Sequence, residues 1–167
     1  MEPNIVLSPM EQAIVKRVAR ERYETNRRAG VHNAKIGGQS NEETDVNGFG
    51  AEVAFCKLLN IYPDFSIEPR RGGADCLVCE TEVDVKQTKY ETGKLLATLK
   101  KRVDDADVYV LMIGVLPSYR FAGWVEAEKL LRPQNITDLG RGKGYALEQG
   151  QLNPCIIELK KGVTHEK

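Results

Sequence analysis

The stretch Ala74-Asp75-Cys76-Leu77-Val78-Cys79-Glu80-Thr81-Glu82-Val83-Asp84-Val85-Lys86-Gln87 carries the strict alternation Glu82-Val83-Asp84-Val85-Lys86 in its second half. It predicts a hairpin with strands Ala74 to Cys79 and Glu82 to Gln87 around a turn at Glu80-Thr81. A symmetric turn pairs Cys79 with Glu82, Leu77 with Asp84 and Asp75 with Lys86. Successive side chains on a strand point to opposite faces, so Cys76, Val78, Val83 and Val85 share one face and are core material. Asp75, Asp84 and Lys86 share the other, with Asp75 opposite Lys86 and diagonal to Asp84. Two carboxylates and an ammonium therefore converge where they have no packing value.

Upstream, residues 48–60 predict a helix that ends before Pro63, with Phe49, Val53, Cys56 and Leu59 on one stripe at the 3.6-residue period. Glu52 falls on that stripe, and a carboxylate facing the protein is costly unless something positive meets it. Nearer the N-terminus, Ser8, Pro9 and Glu11 spell a capping box before Met10, Ile14 and Val18, and Gly30 closes that helix. Residues 31–47 are polar and glycine-containing and read as a mobile loop.

Downstream, residues 94–103 read as an amphipathic helix through Leu95, Leu96, Leu99 and Val103. Val108 to Val115 is apolar throughout, as a strand covered on both faces would be. Residues 119–124 form another strand candidate, and residues 125–131 a helix closed by Pro133. Residues 134–153 are loop-like, and Ile156 to Leu159 is a last edge strand or helix turn. The order predicts a single α/β domain whose mixed central sheet is flanked by helices. Its parts are an N-terminal basic helix over about 8–29, a core over about 48–131 and a loop-rich C-terminal segment over about 132–167.

At 167 residues, the chain can bury a real core without disulfides or a structural metal. No apolar run approaches the roughly 20 residues that a membrane span needs, and the first residues lack a signal-peptide layout, so no membrane partner is expected. Four scattered cysteines suit a reducing cytoplasm. Lys and Arg total 24 against 24 Asp and Glu, but the charges are segregated. Residues 16–35 carry seven basic side chains against two acidic ones, and residues 86–102 carry six against one. Between them, residues 41–52 hold four acids (Glu42, Glu43, Asp45 and Glu52) and no base. Two basic stretches on a neutral protein can hold a polyanion locally, although solvated helix faces look the same.

Asp75, Asp84 and Glu52 are hard oxygen ligands of the kind Mg²⁺ takes. A lysine two residues beyond an acid, on the same strand face, can reach a metal-held water and neutralise charge on a phosphoryl transition state. Here the chain resembles the PD-(D/E)xK nuclease superfamily. The resemblance runs from Gly50-Ala51-Glu52-Val53-Ala54 through Gly72-Gly73-Ala74-Asp75 and Val83-Asp84-Val85-Lys86-Gln87 to Asp107-Val108-Tyr109-Val110-Leu111 and Ala122-Gly123-Trp124-Val125. It spans about half of the chain and is nearest to phage or mobile-element members.

The resemblance implies a restriction-endonuclease-like fold and a Mg²⁺- or Mn²⁺-dependent DNA nuclease, with endonuclease activity favoured. Asp75, Asp84 and the Val85 carbonyl would bind metal, Glu52 would contact the metal or its water, and Lys86 would assist the nucleophilic water. Gln87 stands where many members carry a polar residue beside the site. Pro63-Asp64 spells the motif's literal first half, but Asp75 is preferred because the hairpin sets it beside Asp84 and Lys86. The alternatives are a non-catalytic DNA-binding accessory protein on the same fold and an RNA-directed nuclease. A homodimer would suit the cutting of both strands, though no stretch demands one.

Other motifs carry less. Cys76-x-x-Cys79 lacks a second Cys pair or a nearby His, so small core residues are the better reading than zinc. His32 and His165 stand without partners. With the site placed at the hairpin, Arg17, Arg20, Arg27 and Arg28 on the first helix, Arg70 and Arg71 before the Asp75 strand, and Lys89, Lys100, Lys101 and Arg102 become candidates for DNA phosphate contacts.

Overall fold

In the computed structural model, which describes residues 4–30, 41–68 and 73–162, strand β1 (Ile5–Val6) runs into the expected capping box. The Ser8 hydroxyl accepts from the Glu11 N–H at 3.2 Å, and the Glu11 carboxylate accepts from the Ser8 N–H at 2.6 Å. With Pro9 at its first position, α1 (Pro9–Arg28) starts where the sequence places it. Its buried stripe differs: Met10 is 72% exposed and Ile14 is exposed, while Val15, Val18 and Ala19 are buried. The period was correct, but the side that meets the neighbouring helix is turned by about one residue.

That neighbour, α2 (Asn41–Leu59), begins earlier than expected, so residues 41–47 belong to the helix rather than to a loop. Glu42 and Glu43 sit in its first turn, where negative charge complements the exposed N–H groups. Phe49, Val53, Cys56 and Leu59 are buried as expected, and so are Ala51, Ala54 and Phe55, because this helix is covered by α1 on one side and the sheet on the other. Gly50 permits the close approach: a Cβ there would overlap the Tyr119 hydroxyl, which donates to the Asn47 carbonyl at 3.1 Å.

The remaining strands are β2 (Cys76–Val78), β3 (Thr81–Thr88), β4 (Leu95–Thr98), β5 (Val108–Val115), β6 (Ser118–Glu126), β7 (Ile136–Asp138) and β8 (Lys143–Leu147). Four of them join β1 in a mixed sheet of order β1-β6-β5-β3-β2, in which only β3 and β5 run parallel. The fold is thus a single α/β domain with a mixed sheet and flanking helices. Strand β5 is buried on both faces, as its apolar run requires. On one face Val83, Val85, Val108, Val110 and Met112 join the core beneath α1 and α2. On the other, Tyr109, Leu111 and Ile113 pack with Leu95, Ala97, Leu130 and Leu147 in a second core.

Three expectations fail around that second core. The helix expected over residues 94–103 is β4 followed by turns, with Leu95 and Ala97 buried and Leu96 and Thr98 half-buried in strand alternation. The helix expected from Val125 shrinks to α3 (Ala127–Leu130), because β6 continues through Glu126 to pair with Val108. Residues 134–153, expected as loop, supply β7 and β8, which complete a second sheet in the order β4-β8-β7. Ile156 to Leu159 takes the helical one of its two expected forms, in α4 (Ile156–Lys160). Short, weakly patterned strands become stable only through partners distant in sequence. No helix among the described residues is long and apolar enough to cross a membrane.

Candidate active site

The hairpin of β2 and β3 forms with its faces as expected and its register moved. Cys76 pairs with Val83, Leu77 with Glu82 and Val78 with Thr81, so the turn is Cys79-Glu80 rather than Glu80-Thr81. Thr81, a β-branched residue, joins the strand and is buried, while Cys79 takes the left-handed conformation at φ 55°. Moving the turn by one residue shifts each cross-strand pair by two, which preserves every face. Asp75 stands just before β2 and outside its ladder, bonded to Val83 and Val85 rather than paired with Lys86. The Asp75 N–H donates to the Val83 carbonyl at 2.8 Å, and Asp75 Oδ2 accepts from the Val85 N–H at 2.7 Å.

Asp84 is 2% exposed and projects from β3 toward the second core. Lys86 Nζ forms an ion pair with its Oδ1 at 2.6 Å, without the alignment of a hydrogen bond. Lys101 Nζ donates to its Oδ2 at 2.7 Å. Burial, the largest single influence, pushes the Asp84 carboxyl up, but the two lysines together outweigh it and hold the group below the usual carboxylate range. Both ammonium groups also lie over the Tyr109 ring, Lys86 at 5.8 Å and Lys101 at 6.0 Å from its centroid. The Tyr109 hydroxyl is buried without a hydrogen-bond partner among the described residues. Burial first, and then the charges of Asp84, Asp105 and Asp75, keep its proton on.

Glu52 lies on the helical side of the sheet, buried, and the positive group it needs is Arg22 of α1, with Nη1 at 3.6 Å from Oε2. Arg22 also stacks over Phe49 and donates to the carbonyls of Asp64 and Ser66 at 2.6 and 2.8 Å. The Asp64 carboxylate accepts from the Ser66 N–H at 2.8 Å in a local turn, whereas Asp75 is bonded into the hairpin. The charges of Asp75 and Glu52 both act on the Cys76 thiol, and those of Asp75 and Asp84 both act on Tyr109. Asp75, at the strand end, is thus the acid felt on both sides of the sheet.

The other expected site residues divide. Gln87 faces away from Lys86, and its amide donates to the Gly114 carbonyl at 2.6 Å. Lys101, expected on the phosphate-binding surface, is instead drawn onto Asp84, because a carboxylate buried that deeply needs a second cation. Lys89, Lys100 and Arg102 are exposed. On α1, Arg17 and Arg20 pair with Glu21 and Glu24 one turn on, Arg28 pairs back to Glu24, and Arg27 donates to the Tyr23 hydroxyl. That helix packs on α2, on the side of the sheet opposite Asp84, so the structure separates the two basic stretches. Arg70, Arg71, His32 and His165 lie outside the described residues. Cys76 meets Cys56, and the Cys79 thiol is directed to the Lys160 carbonyl at 3.3 Å.

As donors, the carboxylates of Asp75 and Asp84 and the Val85 carbonyl suit a hard divalent cation. Among the described residues no three His, Cys, Asp or Glu side chains are grouped as a metal-holding set, Glu52 being held aside by Arg22. No family model, curated protein or solved structure matches the chain. The chemistry of the site is therefore read from its own residues. Lys101 and Tyr109 are the members that the sequence did not assign to it. Tyr109 is visible in hindsight as the one polar tip in an apolar strand, whereas nothing in the spacing marks Lys101.

Proposed function

We propose that the protein is a divalent-metal-dependent nuclease that hydrolyses phosphodiester bonds, with DNA as the substrate. The observation that carries this reading is the buried Asp84 carboxylate on β3, with Asp75 bonded to the N–H of the next residue, Val85, and Lys86 two residues along the same face. Asp75, Asp84 and the Val85 carbonyl would hold Mg²⁺ or Mn²⁺. When bound, such a cation supplies Lewis-acid stabilisation and holds a water that ionises more easily than bulk water.

The protein's own part is to aim and to charge. The Val85 N–H fixes one oxygen of Asp75, and the strand fixes Lys86 relative to Asp84. With 30% of its side chain exposed, Lys86 can turn its ammonium from Asp84 toward a water or a non-bridging phosphate oxygen and lower the charge that builds there. Lys89, Lys100 and Arg102, exposed after β3 and β4, would hold the nucleic-acid backbone without reading bases. The four cysteines are free thiols, which supports a place in the reducing cytoplasm.

The test is to incubate the protein with supercoiled plasmid, linear duplex, single-stranded and branched DNA, and RNA, in Mg²⁺, Mn²⁺ or EDTA, beside Lys86→Ala. Cleavage that needs metal and is lost in the variant is the expected outcome, and normal cleavage by Lys86→Ala refutes the site. A second reading, a DNA-binding accessory protein without catalysis, is favoured by one observation: both Asp84 oxygens already meet a lysine. On that reading the protein shifts DNA in EDTA and cuts nothing with metal.

A further inference from the structure

Lys86 and Lys101 are not equivalent partners of Asp84. Lys86 shares its strand, so its backbone is held two residues from that of Asp84 by the ladder that binds β3 to β5, wherever its ammonium turns. Lys101 comes from the turn after β4, where its N–H donates to the Thr98 carbonyl at 3.1 Å, and reaches Asp84 from the other sheet. Its neighbours Lys100 and Arg102 are exposed, and 24% of the Lys101 side chain is open to solvent, so the ammonium has a route to water that Asp84 lacks. Asp75 and Asp84 with both lysines are together neutral. Without Lys101 the same group carries a net negative charge, which attracts a divalent cation.

We propose that Lys101 is a tethered counter-ion that occupies Asp84 Oδ2 in competition with a divalent cation. The proposal rests on the reading of Asp84 as a metal ligand. A cation that takes Asp84 Oδ2 sends the Lys101 ammonium outward, beside Lys100 and Arg102, where it adds to the charge available for phosphate. Metal binding and nucleic-acid binding are thereby coupled through one side chain, each favouring the other.

Mn²⁺ titration of the full-length protein, with the free ion followed by electron paramagnetic resonance, tests this directly and without reference to cleavage. Lys101→Met removes the competing charge and is expected to bind Mn²⁺ about tenfold more tightly than wild type, a modest share of a charge–charge interaction at this distance. Lys101→Arg keeps the charge and should retain wild-type affinity, and Asp84→Asn should lose binding. Lys101→Gln gives the same readout as Met with a polar tip at Asp84, and far-UV circular dichroism verifies that each variant is folded. Equal or weaker Mn²⁺ binding by Lys101→Met and Lys101→Gln, with binding lost in Asp84→Asn, overturns the counter-ion role and leaves the metal site standing. No Mn²⁺ binding by wild type or by either Lys101 variant overturns both.

Discussion

A carboxylate as buried as that of Asp84 would ordinarily keep its proton, and it is ionised here because ammonium groups approach from two directions. Its folded-state pKa lies below the value near 4 of an unfolded chain, so its contribution to stability is complete at neutral pH and is lost as the pH falls through the folded-state value. Asp84→Asn should therefore be less stable than wild type by about 2 kcal/mol at pH 7, less than a fully enclosed pair because both lysine stems reach solvent. Urea titrations of the two proteins at decreasing pH should show that gap closing below about pH 4. A gap that does not narrow at all as the pH falls would mean that shape rather than charge sets the cost. Asp84 and Lys86 were legible as a pair because they lie two apart on one strand. Lys101 was not, because it reaches them from another sheet through a turn that no local pattern marks.

Among the elements, α2 is where geometry is tightest. A glycine inside a helix costs about 0.5–1 kcal/mol relative to alanine, and Gly50 is tolerated because the Tyr119 hydroxyl occupies the space a methyl would need. Gly50→Ala should destabilise by about 2 kcal/mol despite its better helix propensity, the overpacking outweighing the propensity gain. Equilibrium denaturation measures the balance, and a more stable Gly50→Ala would show that Tyr119 yields easily. The hairpin was readable from its alternation, and its faces survived a turn misplaced by one residue because parity, not register, decides them. Strand β4 was not readable, since Leu95, Leu96, Leu99 and Val103 fit a helical stripe as well as Leu95 and Ala97 fit a strand. Pairing with β8, nearly fifty residues on, decides between them.

Across the whole molecule, one sheet separates two apolar layers, with Val15 fully buried in the helical layer and Leu95 in the other. Leu95→Ala should cost about 2–4 kcal/mol and Val15→Ala somewhat less. The double variant should equal the sum within about 0.5 kcal/mol, because the two cavities share no neighbours. A larger departure in urea unfolding would show that the layers communicate through the strands between them. The two layers also divide the chemistry: Glu52 belongs to the helical side, and Asp84, Lys86 and Lys101 to the other, with Asp75 at the strand end acting on both. The sheet itself ends abruptly, in a two-residue β1 on one side and a three-residue β2 on the other. Edge strands this short give a second chain little to extend, so this sheet is blunted against strand addition even though Val6 and Leu77 on those borders are apolar and exposed.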